Sequence, residues 1–197
     1  MVSSYLPEIL VGAEVFSEPG RSRYEWRNQR SFAAIKSDGS IVSWGSVSTD
    51  GREEVIRYVK DGPFKQIFSN RHSFAAIRAD GKLITWGNRG RGGKKGKAKD
   101  DLQEGVEQVF STRRSFSALK SDGSVISWGQ DEEGGDSSLV ADQLSSDVVK
   151  LFSTGTSMAA LKSDGSVVTW GLSTKDPRSK SLGGDIDTGS PRGGDSS

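Results

Sequence analysis

The chain contains no cysteine, so disulfide frameworks, thiolate zinc sites and cysteine nucleophiles are excluded, and the redox compartment leaves no mark. A single histidine, His72, has no second imidazole or thiolate with which to share a metal, and it is the only base that a serine nucleophile could use. Nothing places a Ser-His-Asp set around it. We therefore expect no catalytic residues, no enzyme activity, no metal and no cofactor. Large apolar stretches are missing too: hydrophobic residues make up 32% of the 197 residues, and no run approaches the ~18 needed to cross a bilayer. The opening "MVSSYLPEILVGAEVF" has neither the basic start nor the unbroken apolar stretch of a secretory signal, so no leader or membrane span is visible and an intracellular setting is favoured. Charge of one sign is also absent. The 27 basic and 26 acidic side chains nearly cancel, so a charge-driven partner must use a local patch.

Glycine, by contrast, is abundant, at 25 residues, and suits many short strands better than long helices. The stretch "SFAAIKSDGSIVSWG" from Ser31 returns as "SFAAIRADGKLITWG" from Ser73, "SFSALKSDGSVISWG" from Ser115 and "SMAALKSDGSVVTWG" from Ser157, at a constant interval of 42 residues. A fixed period of this size marks a repeat architecture. Each copy holds an Asp-Gly pair between apolar runs (Asp38-Gly39, Asp80-Gly81, Asp122-Gly123, Asp164-Gly165), which predicts a hairpin with a two-residue type I′ turn. Phe74 and Ala76 share one face of the strand before the turn, Ala75 and Ile77 the other; beyond it, Leu83 and Thr85 oppose Ile84 and Trp86. Apolar residues on both faces imply a sheet covered on both sides, with neighbouring repeats as the cover.

A third apolar segment precedes each hairpin: "EVFS" at 14–17, "QIFS" at 66–69, "QVFS" at 108–111 and "KLFS" at 150–153. A fourth strand has room in the variable stretch after each Trp-Gly. Small residues at Ala33, Ala75, Ser117 and Ala159 let sheets approach near an axis, while Trp44, Trp86, Trp128 and Trp170 supply large areas for burial between them. The whole chain, 1–197, reads as one all-β repeat domain, with units around 12–45, 64–87, 106–129 and 148–171, an insertion at 18–30, a basic glycine-rich loop at 87–101 and a Gly/Ser-rich segment at 172–197.

The unit "VxxxFS…SxAALKSDGSVxxWG" resembles the repeat of the regulator of chromosome condensation family, across about residues 12–171. The resemblance implies a β-propeller-like ring of four repeats. Members of that family usually have seven blades of slightly longer repeats, and those that activate the GTPase Ran insert a wedge that no residue here matches, so exchange activity is not carried over. The tail "GGDSS" (193–197) copies 134–138, so the chain stops about where its head begins, as though a ring were cut within one blade. Closure by pairing of the N- and C-terminal segments in that blade is the expectation, with an open array or a two-chain ring as alternatives.

Two irregular segments are candidate binding sites. In "EPGRSRYEWRNQR" (18–30), Arg21, Arg23, Arg27 and Arg30 interleave with Tyr24 and Trp26, residue types that dominate protein interfaces; the alternative is that the aromatics fold back to cap the first blade. In "GNRGRGGKKGKAKDD" (87–101), Arg89, Arg91, Lys94, Lys95, Lys97 and Lys99 could meet an acidic protein or another anionic surface, or form a solvated, mobile loop. That loop lacks aromatics for base stacking and fails the phosphate-loop pattern, which weighs against nucleic acid. The acidic stretches around Asp131, Glu132, Glu133 and Asp136 and around Asp185 and Asp187 fit no calcium loop and read as solvated. The expected function is a noncatalytic protein-interaction scaffold, an accessory subunit docking onto a larger assembly through variable loops. A regulatory nucleotide-exchange or chromatin-associated propeller is the alternative, and a carbohydrate-binding propeller, needing repeated exposed aromatics, the third.

Overall fold

The computed structural model describes residue 28, residues 31–45 and 62–171, and the backbone of 9–11 and 57–59. Among the described residues thirteen strands form four antiparallel sheets. The first sheet comprises β1 (Ile9–Val11), β2 (Ser31–Ile35), β3 (Ile41–Gly45) and β4 (Arg57–Val59) in that order. The second has β5 (Phe64–Ser69), β6 (Ser73–Arg78) and β7 (Leu83–Gly87). The third has β8 (Val106–Ser111), β9 (Ser115–Lys120) and β10 (Val125–Gly129), and the fourth β11 (Val148–Ser153), β12 (Ser157–Lys162) and β13 (Val167–Gly171). These are the blades of a β-propeller, one per repeat.

Each Asp-Gly pair makes a hairpin, but not by the predicted turn. Gly39 N donates to Lys36 O and Lys36 N to Ser40 O, at 2.9 and 2.8 Å, which closes a three-residue loop with a type I turn and a left-handed glycine. Only the glycine has positive φ (+74° at Gly39, +77° at Gly123), whereas a type I′ turn needs it at the aspartate too. The aspartate instead accepts from the amide two residues on, as Asp122 does from Ser124 N at 2.9 Å. In blade one the strand paired with β2 is β1, with Leu10 opposite Ala34 as Ile67 stands opposite Ala76; the expected 14–17 strand lies outside the described residues. A fourth strand occurs as β4 in the first sheet, while short 3-10 helices follow the Trp-Gly pairs of the second and third.

The sheets stack flank to flank, and the core lies between them. Ala75, Ile77 and Leu83 on the trailing flank of the second sheet meet Val109, Phe116, Ala118 and Trp128 on the leading flank of the third. Ala33, Ile35 and Ile41 meet Ile67, Phe74, Ala76 and Trp86 one junction earlier, and Leu119 and Val125 meet Leu151, Met158, Ala160, Val168 and Trp170 one junction later. Within a sheet, Phe74 stacks on Trp86 and Phe116 on Trp128, with ring centroids 5.3 and 5.4 Å apart, each pair adding about 1 kcal/mol beyond its buried area. Backbone bonds stitch the stack: Phe64 N, Val106 N and Val148 N donate to the turn carbonyls of Gly39, Gly81 and Gly123 in the preceding sheet, at 2.9 to 3.0 Å. The C-terminal segment that would close a ring lies outside the described residues, so the pairing expected between the two chain ends is not seen.

Candidate interaction surface

At the end of the second, third and fourth sheets opposite the Asp-Gly turns, one polar side chain organises the loop between the first and second strands, buried in the second and third. Asn70 Oδ1 accepts from His72 N and Ser73 N, both at 2.8 Å, and its Nδ2 donates to Arg91 O at 2.8 Å. Thr112 stands 42 residues later: its Oγ1 accepts from Ser115 N at 3.0 Å and donates to Glu133 O at 2.9 Å. Thr154 Oγ1 takes Ser157 N at 3.0 Å, and buried Asn28 holds the same place in the first unit. Asn70 and Thr112 are fully buried, so losing either would orphan amides that water cannot reach. This Asn/Thr row went unnoticed in the sequence reading, although its period was there to find. It also shows that the regular unit resumes at Asn28, within the span assigned to the insertion.

The glycine-rich segment after Trp86 is ordered, contrary to a mobile loop. Two short 3-10 helices, Arg89–Arg91 and Gly96–Lys99, shape it, and Asn88 Oδ1 caps the first by accepting from Gly90 N at 3.2 Å. Ala98 and Leu102 bury against the third sheet, and Gly92 O accepts the Trp128 indole N–H at 3.1 Å. Gly92 has φ +98°, and a Cβ there would lie 2.5 Å from the Phe116 ring, so only glycine fits. The next segment repeats the device, with Gly134 O taking the Trp170 N–H at 3.2 Å. Each segment thus straps the following blade.

Of the six predicted anion-binding residues, two turn inward. Arg91 Nη1 lies 3.2 and 3.1 Å from Nδ1 and Nε2 of His72, and Lys95 Nζ donates to Leu83 O at 2.8 Å. Burial pushes the Lys95 ammonium below its usual pKa, and the nearby Lys82 and Lys99 charges push the same way. Arg89, Lys94, Lys97 and Lys99 remain exposed on the outside of the strap. In the acidic strap, Glu133 Oε1 sits 3.2 Å from Arg114 Nη1, and Asp136 accepts from Ser138 N at 2.9 Å. The amide of Ser138, its hydroxyl and then the Lys97 charge hold the Asp136 carboxyl below its usual range. Arg21, Arg23, Tyr24, Trp26, Arg27 and Arg30 lie outside the described residues.

Trp86, Trp128 and Trp170 are buried, so these three recurring indoles offer no exposed platform to a sugar ring. Among the described residues no helix is long and apolar enough to cross a membrane, and no group of three or more His, Asp or Glu is arranged to hold a metal.

No protein-family model and no curated protein matches the chain. Solved structures do. Human WBSCR16 superimposes with a TM-score of 0.50 and 18% identity, over 73% of this chain and 46% of that one. Prp20p from Saccharomyces cerevisiae, described with its binding to Gsp1p and histones, gives 0.49 and 18% over 72% of this chain and 41% of that one. A second structure of that yeast RCC1, bound to Kap60, gives 0.49 and 14%, over 72% and 40%. The chain spans less than half the length of each. At these identities the likeness is one of fold, a β-propeller built of repeats.

Proposed function

We propose that this chain is a noncatalytic protein-interaction scaffold, an accessory subunit that docks a partner through the variable end of its blades. The carrying observation is how variation is distributed. Positions that repeat among the units fill the junctions and turns, whereas those that change, His72 against Arg114 and Thr156, or Arg89–Arg91 against Asp131–Glu133, gather at the end organised by Asn70 and Thr112. A rigid core carrying variable loops is how repeat scaffolds acquire partners. The 18–30 insertion falls in the chain between β1 and β2, the connection that corresponds to the Asn70 and Thr112 loops. Arg21, Arg23, Tyr24, Trp26, Arg27 and Arg30 would then share this end with Arg89, Lys94, Lys97 and Lys99, forming one basic and aromatic surface suited to an acidic protein.

Photo-crosslinkers placed at Tyr24 and at Lys97 test this. Both should trap the same protein, and capture should weaken as salt rises and with a Lys94→Glu/Lys97→Glu/Lys99→Glu variant. Two different products, or capture indifferent to that variant, would count against a shared docking end.

A further inference from the structure

The fourth sheet has the same trailing flank as the other three, and among the described residues no further sheet lies on it. Phe152 is 45% exposed and Val167 53%, whereas Val125, matching Val167 in the third sheet, is buried and Phe110, matching Phe152, packs into the junction core. Ala159 is part-exposed where Ala33, Ala75 and Ser117 are fully buried. A Cβ at Gly165 would meet nothing within 4 Å, while one at Gly123 would meet Asp147 N at 2.9 Å. The Lys150 ammonium sits over Phe152, 5.2 Å from the ring centroid. The opposite flank of the stack is less covered as well: Phe32 and Trp44 of the first sheet are part-exposed, while Phe74 and Phe116, Trp86 and Trp128 at the same positions in later sheets are buried.

We infer that the first sheet of a second copy of this chain covers the fourth sheet, head to tail, and that two copies close one ring. Three observations select that occupant. The leading flank of the first sheet (Phe32, Ala34, Val42, Trp44) carries the same positions that cover a trailing flank at all three junctions within the chain. The contact would extend an interface the molecule already makes at its three internal junctions. This chain matches 46% of human WBSCR16, so two copies end to end account for a chain of about that length. A heterologous contact that closes yields a discrete ring rather than a fibre.

Sedimentation velocity over a concentration series tests the pairing. The wild-type chain should pass from 21.2 kDa to twice that mass. Val167→Glu and Val42→Glu, each at an accessible position, should individually hold the chain at 21.2 kDa with unchanged circular dichroism. Mixing the two variants should restore the doubled mass, because one intact leading flank then meets one intact trailing flank. Thr169→Glu, also on the open flank, repeats the test should Val167→Glu unfold its sheet. A wild-type mass of 21.2 kDa at every concentration, a doubled mass indifferent to both variants, a mixture that fails to recover, or higher multiples of the chain mass would each overturn the two-copy ring.

Discussion

The third and fourth sheets carry nearly the same sequence and live in different surroundings. "SFSALKSDGSVISWG" and "SMAALKSDGSVVTWG" share their turn, strand register and indole strap, yet the five core residues of β9 are buried where alternate residues of β12 reach solvent. The difference is the next blade. A propeller strand is made locally, by alternation and a turn, but its trailing face gains hydrophobic stabilisation only when a neighbour removes it from water. Identical substitutions in the two sheets therefore separate local folding from stacking.

The largest contrast should come from the tryptophans. Trp128, 3% exposed and bonded to Gly92 O, should cost about 3–5 kcal/mol as Trp128→Ala. Trp44→Ala, at the part-exposed leading flank, should cost less than half as much in dilute solution, as read from urea midpoints at constant slope. Equal losses would mean that the first blade is as covered as the third. Next come the turn glycines. Both Gly123 and Gly165 have positive φ, so each alanine variant meets a left-handed penalty of about 1–2 kcal/mol. Only Gly123→Ala also drives a methyl against the Asp147 amide and disturbs the bond from Val148 N, so its unfolding midpoint should fall further than that of Gly165→Ala. Leu119→Ala against Leu161→Ala follows the same logic at smaller scale, about 2–3 against about 1 kcal/mol, because Leu119 is packed under Leu151 and its neighbours and Leu161 is part-exposed.

The repeats, the hairpins and the two-faced strands were legible because each is written within fifteen residues and then rewritten at the same interval. The turn type was not. Asp-Gly is compatible with both a two-residue and a three-residue loop, and the choice follows from the strand twist and the Gly39 carbonyl reaching the next blade. The strand at 9–11 was not read from the sequence; its pairing with β2 is what reveals it. In the basic segment, six cations in a glycine-rich run look uniformly solvated. That Lys95 turns inward to Leu83 O and that Ala98 anchors the strap are consequences of the third blade beneath, which periodicity could not reveal. Asn70 and Thr112 escaped notice because they differ chemically while performing one task, accepting amides through a side-chain oxygen and donating to the strap.

The smallest effect belongs to the turn carboxylates, and there the two sheets should agree. The Ser124 hydroxyl, then its amide, hold Asp122 below the usual carboxylate range; Ser166 does the same for Asp164, and Ser40 takes Asp38 down to about 2. A carboxylate whose folded pKa is depressed contributes stability that is fully present above its unfolded value of about 4 and is lost as pH falls through the folded value. Stability should accordingly be level from neutral pH to about 5 and decline between about 4 and 2. Ser124→Ala removes the largest cause at Asp122, so the folded pKa rises and the acid limb loses part of its slope. Ser166→Ala should do the same to the same extent, since the Asp164 turn is built from its own five residues and no neighbouring blade enters it. NMR titration of the Asp122 and Asp164 carboxyls in the two variants would check this. Matched shifts, beside unmatched losses at Gly123 and Gly165, would assign turn chemistry to the repeat and stacking to its neighbour; unmatched shifts would mean that the next blade reaches into the turn as well.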